Sequence, residues 1–76
     1  MQRIEFKITE EYIELIKLLK AVNIASSGGE AGMIVTEGEV EVNGRTEYRK
    51  RRKCRAGDRV LVHDTEIFIH NHPADF

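Results

Sequence analysis

The sequence has a single cysteine, Cys54, so no disulfide can cross-link the chain internally, and a lone thiol fits a reducing cytoplasm. No apolar run approaches the roughly 20 residues that a membrane-spanning helix needs. The N-terminal stretch MQRIEFKITEE lacks the apolar core and small-residue cleavage site of a secretory signal. These absences lead to the expectation of a cytoplasmic protein with no membrane partner. Neither a Walker-type lysine nor a G-x-G-x-x-G stretch is present, which argues against nucleotide hydrolysis. Without a cysteine pair or H-E-x-x-H, a structural zinc centre has no obvious ligand set. There is one proline, no internal repeat and no linker. A single domain over residues 1–76 is expected, and a chain of this size buries only about 60% of its unfolded surface. That leaves little room for a deep catalytic cleft, and neither cofactor nor small-molecule substrate is expected.

What the sequence does have is concentrated positive charge. The chain carries 12 Lys+Arg against 13 Asp+Glu, a net charge of −1. Eight of the basic residues (Arg45, Arg49, Lys50, Arg51, Arg52, Lys53, Arg55 and Arg59) fall between positions 45 and 59, opposed there only by Glu47 and Asp58. That window is +6, whereas residues 1–44 sum to −4 and residues 60–76 to −3. Five consecutive cations, Arg49 to Lys53, repel one another unless something relieves them. Nucleic-acid phosphates do so with release of condensed counterions. An anionic membrane is a weaker fit, because no amphipathic helix with a basic face accompanies the cluster. The competing reading is a protein-interaction module that docks an acidic partner through this segment.

Ile4, Phe6 and Ile8 alternate with Arg3, Glu5 and Lys7, the period of a half-buried strand. Thr9 reads as an N-cap for a helix over about Glu10–Ala21, with Tyr12, Leu15, Ile16, Leu18, Leu19 and Val22 on its apolar face. Ser27 and Glu30 have capping-box spacing for a second helix, which Gly38 ends. Val40 and Val42 followed by Asn43-Gly44 predict a hairpin returning at Arg45. Residues 56–58, Ala-Gly-Asp, mark a turn. RVLVH and EIFIH read as two strands joined through His63, Asp64 and Thr65, and residues 71–76 as a loose tail. The expected fold class is α+β, two helices packed on a small, mostly antiparallel sheet.

Ser27, Gly28 and Gly29 could bring a bare helix end close to one phosphate, or could simply form a tight inter-helix turn. Lys17 and Lys20 are secondary candidates for an extended basic surface, with Lys17 also placed to pair with Glu14 or Glu10. Tyr48 is suited either to stacking on an unpaired base or to a half-buried strand position. His63, His70 and His72, with Asp64 and Asp75, raise a metal-enzyme reading that lacks a supporting motif. Cys54, between Lys53 and Arg55, has flanking charge that favours its thiolate; with no adjacent base it reads as non-catalytic, a passenger or a partly buried strand residue.

The stretch LLKAVNIASSGGEAGMIVTEGEVEVNG, then RKRRKCRAGDRVLV, resembles the RNA-binding domain named after the fourth small-subunit ribosomal protein, the αL motif. The matching positions are Leu18, Leu19, Ser27, Ala31, Gly38, Val40, Val42, Asn43, Gly44, Gly57, Asp58 and Val60, within a motif core of about 12–69. Most members carry arginine directly after the serine; here that position is Gly28. The glycine version with a basic run after the hairpin is similar to the small stand-alone bacterial members of the YbcJ-like and YaaA-like group. The resemblance implies an RNA-binding protein whose partner is structured RNA, ribosomal or transfer RNA; a non-catalytic monomer is expected, and the ribosome is one place such RNA occurs. The implied contacts are Arg45, Arg49, Lys50, Arg51, Arg52, Lys53 and Arg55, with Ser27, Gly28 and Gly29, and Lys17 and Lys20 at the margin.

Overall fold

The computed structural model describes residues 1–71. Strand β1, Gln2–Ile8, forms where the alternation begins, with Ile4, Phe6 and Ile8 turned toward the core. It is followed by a two-residue strand, β2 (Ile13–Glu14), and by helices α1 (Leu15–Ala21) and α2 (Gly28–Thr36). Five further strands complete the chain: β3 Val40–Val42, β4 Arg45–Thr46, β5 Lys53–Cys54, β6 Arg59–Val62 and β7 Thr65–Asn71. The main sheet has the order β1-β7-β6-β3-β4, antiparallel except for β1 against β7, and β2 pairs with β5 in a separate two-stranded ladder. Both helices pack on one face of the main sheet. Leu15, Leu18 and Leu19 of α1 and Ala31 and Val35 of α2 meet Val40, Val42, Val60, Val62, Ile67 and Ile69 in one buried cluster. The two helices on a mostly antiparallel sheet match the fold class expected from the sequence.

Helix α1 starts at Leu15, five residues later than expected, and Thr9 does not cap it. The reason is tertiary. Ile13 and Glu14 are drawn into the ladder with Cys54 and Lys53. The first free N–H groups of the helix, those of Leu15 and Ile16, then donate to the carbonyls of Arg52 (2.9 Å) and Lys50 (3.1 Å). Carbonyls of the basic segment thus do what a side-chain cap does elsewhere. α1 ends with Asn23 in the left-handed region (φ 64°) and with Ile24 N–H donating to Leu19 O. α2 follows the sequence more closely. Ser27 Oγ accepts from Glu30 N–H at 3.1 Å, and the Glu30 carboxylate accepts from the N–H and hydroxyl of Ser26, one residue earlier than an ideal capping box. Gly38 (φ 79°) closes α2, with Glu39 N–H reaching Ile34 O and Gly38 N–H reaching Val35 O, the paired bonds of a Schellman stop.

The Asn43-Gly44 turn forms with both residues at positive φ (53° and 86°), and Arg45 pairs with Val42 as the hairpin signal requires. The turn between β6 and β7 is two residues long, His63 and Asp64; Thr65 is already in the strand, opposite Val62. Asn71 closes β7 opposite Ile8, so the expected loose tail does not begin at 71. The rest of that tail, with His72 and Asp75, lies outside the described residues.

Candidate nucleic-acid interface

Residues 47–58 make an excursion from β4 to β6, and two carboxylates shape it. Glu47, largely buried, lies between two guanidinium groups: Arg49 Nε and Nη2 donate to it at 2.9 and 3.1 Å, and Arg52 Nε lies 2.9 Å away. The paired donation from Arg49 holds the Glu47 carboxyl below its ordinary range. Asp58 is the second anchor. It accepts from Arg55 N–H (2.8 Å), Asn43 Nδ2 (2.9 Å) and Arg52 Nη1 (3.2 Å). Burial alone would raise the Asp58 carboxyl, but these three donors outweigh it and hold the group low. Asn43 also accepts from Arg59 N–H, so its side chain ties the hairpin turn to the Gly57-Asp58 turn. Gly57 takes φ 94° there, and its N–H donates to Ile69 O in β7.

The eight cations of the basic window therefore differ in what they are free to do. Arg52, only 23% exposed at its side chain, is committed to Glu47 and Asp58 and braces the loop from inside. Arg49 is exposed but already doubly bonded to Glu47. Arg55 reaches Glu11 at 3.5 Å, and its guanidinium lies 5.7 Å from the Tyr12 ring, with Lys53 Nζ 5.0 Å from the same ring. Arg59 belongs to the opposite face of the sheet, near Glu66 and Phe68. Arg45, Lys50, Arg51 and Lys53 form no ion pair among the described residues.

Two of these free cations lie beside the glycine-rich start of α2. Ile16, Gly28, Gly29, Gly32, Met33, Thr36, Lys50 and Arg51 line a groove of about 470 Å³. Gly28 has open space where a side chain would be, and at Gly29 only Ser27 Oγ comes near, at 3.9 Å. Of the first-turn N–H groups, that of Glu30 is taken by Ser27 Oγ, and those of Gly28 and Gly29 have no backbone partner among the described residues. Gly32 has a different role. A Cβ there would sit 3.0 Å from Lys50 Cδ, so the bare helix surface is the bed on which the Lys50 stem lies. Met33, 60% exposed, gives the groove an apolar wall with Ile16. A second depression, lined by Arg49, Arg51, Arg52, Lys53 and Arg55, shares Arg51 with the first. Arg51 is thus the ridge between them.

The structure brings Ser27, Gly28 and Gly29 together with Lys50 and Arg51. Lys20 is exposed one turn beyond Ile16 on α1, whereas Lys17 faces a separate hollow with Glu10, Tyr12 and Glu14 and forms no ion pair with either glutamate. Arg45 is exposed on the edge strand β4. Tyr48 is not in a strand; it is 61% exposed, with its ring against Gly38. Cys54 corrects a sequence expectation: it is fully buried in β5, and burial pushes its thiol up to about 11 despite the nearby Arg52. Charge adjacency in sequence did not translate into a thiolate because the side chain points into the core. His63 lies 2.6 Å from Glu39 and His70 lies 3.5 Å from Glu5; no group of three metal-ligating side chains occurs among the described residues. Ile16, Gly32, Met33 and Thr36 carried no functional signal in sequence, since each also fits a helix face. Glu47 and Asp58 did carry one, being the only carboxylates in a window of +6.

Comparison with known proteins agrees with this architecture. YbcJ of Escherichia coli (strain K12) is 43% identical over 49 residues, covering 64% of this chain and 70% of YbcJ, and YbcJ of Shigella flexneri matches to the same extent. The solution structure of the Escherichia coli protein, described as revealing an αL motif involved in RNA-binding, superposes with a TM-score of 0.63 at 34% identity, over 84% of this chain and 85% of that one. The S4 domain family model matches residues 6–70, nearly the whole described chain, and the chain belongs to the S4 domain family.

Proposed function

We propose that the chain is a non-catalytic, cytoplasmic RNA-binding protein that grips the phosphate backbone of structured RNA, ribosomal or transfer RNA being the favoured targets. The observation that carries this reading is the groove in which the open Gly28–Gly29 turn of α2 faces two unpaired cations, Lys50 and Arg51. A helix start offers free N–H groups and a positive dipole end to one phosphate, and the cations flank it. Lys53 and Arg55 extend the charge along the second depression, and Arg49 exchanges part of its bonding to Glu47 for a phosphate. Ser27 acts by capping and fixing the helix start, with Lys20 and Arg45 at the margins and Lys17 a lesser contributor. Arg52 is a brace. Membership of the S4 domain family and the RNA-binding described for the YbcJ αL motif support the choice of RNA. Backbone contacts position without reading sequence, so recognition is of shape.

The test is binding of a labelled structured RNA and a matched DNA duplex across a salt series. Four to six phosphate contacts give a log–log slope of roughly −3 to −5. Lys50→Ala/Arg51→Ala should flatten that slope by about 2 units, with RNA preferred over DNA. A shallow slope unchanged by this pair would reject the reading and favour an acidic protein partner instead.

A further inference from the structure

β1 is an edge strand seven residues long, open on one side. Gln2 donates its N–H to Asp64 O at 2.7 Å and is paired with Thr65, so Gln2, Ile4, Phe6 and Ile8 turn their backbone groups toward β7. Arg3, Glu5 and Lys7 therefore aim N–H and C=O away from the sheet, and among the described residues no backbone group pairs with that side. An edge of this length is a template for a further strand.

We propose that its occupant is β1 of a second copy of this chain, antiparallel, with the two-fold axis at Phe6. Three symmetric registers bring at least two pairs of these outward-facing residues together. One centred on Glu5 sets Glu5 against Glu5 and Arg3 against Lys7, like charges that oppose pairing. One centred on Ile4 sets Arg3 against Glu5, but Arg3 is already engaged by Glu66 at 3.9 Å and by the Phe68 ring at 4.6 Å. The register centred on Phe6 sets Glu5 against Lys7 twice by symmetry; Glu5 has His70 Nε2 at 3.5 Å, but Lys7 forms no ion pair among the described residues, whereas both partners of the Ile4 register are already engaged. On the other face of the same register Phe6 meets Phe6 and Ile4 meets Ile8, all apolar. A cleft of about 230 Å³ beside this face, lined in part by Phe6, Ile8, Tyr12 and Ile13, takes the second copy's apolar side chains. Joining the two edges makes one continuous sheet and removes both open strands.

Sedimentation velocity of the protein without RNA, from low micromolar to submillimolar concentration, tests this independently of nucleic-acid binding. The wild type should form a dimer. Glu5→Lys and Lys7→Glu should each weaken association about tenfold or more, since symmetry counts every reversed pair twice. The double variant Glu5→Lys/Lys7→Glu should recover wild-type association, because both pairs are restored with signs exchanged. A wild type that stays monomeric throughout overturns the proposal. So does a dimer indifferent to the single variants, or one that the double variant fails to restore.

Discussion

Asp58 accepts from a backbone N–H, an amide and a guanidinium within 3.2 Å, so one carboxylate fixes the Gly57 turn, the Asn43 hairpin and the brace Arg52. Asp58→Asn keeps the shape but loses the charge, and should cost about 1.5–3 kcal/mol at neutral pH by urea titration. Its folded pKa is depressed, so the stability it contributes is full above the ordinary Asp value of about 3.9 and is lost as pH falls through the folded value. The gap between wild type and Asp58→Asn should therefore narrow below that range; a constant gap at every pH would show that the charge is not what matters. Cys54 offers a second check at this scale. Buried, and with its pKa raised to about 11, it should react with a thiol reagent only as fast as the chain opens, and at once in denaturant.

At the scale of elements, the glycines of α2 divide by what surrounds them. A methyl group at Gly29 meets nothing closer than 3.9 Å, so Gly29→Ala should stabilise the helix, by up to about 1 kcal/mol. If the open turn is where a phosphate docks, the same substitution should weaken RNA binding. Higher stability with unchanged affinity would remove Gly29 from the contact surface. The basic excursion and α1 are likewise one unit. Lys50 and Arg52 cap the helix with their carbonyls while the side chains of Lys50 and Arg51 line the groove, so loop and helix position each other. β2 and β5, two residues each, exist only as partners of one another. Neither has enough alternation to be read alone, and their pairing moved the start of α1 from Glu10 to Leu15.

Across the whole molecule, the parts legible in the chain are those fixed by short-range physics. The alternation of β1, the Ser27 cap, the Asn43-Gly44 turn and the Gly38 stop each depend on local backbone preference and nearby hydrogen bonds, and each formed where the residues indicate. The concentration of charge was also plain, as was the resemblance carried by the ordered glycines, valines and Asp58. What the residues could not reveal is which cations remain free. That depends on how the excursion folds so that Glu47 and Asp58 claim Arg49 and Arg52, and on Gly32 of α2 giving Lys50 a surface to lie on, a contact between segments that only packing brings together. The sequence by itself determined a small α+β domain with one basic segment and a bare helix start. The tertiary structure alone decided that these face each other across one groove, because loop closure and burial, not periodicity, set the distance between Gly28–Gly29 and Lys50–Arg51, 21 to 23 positions apart.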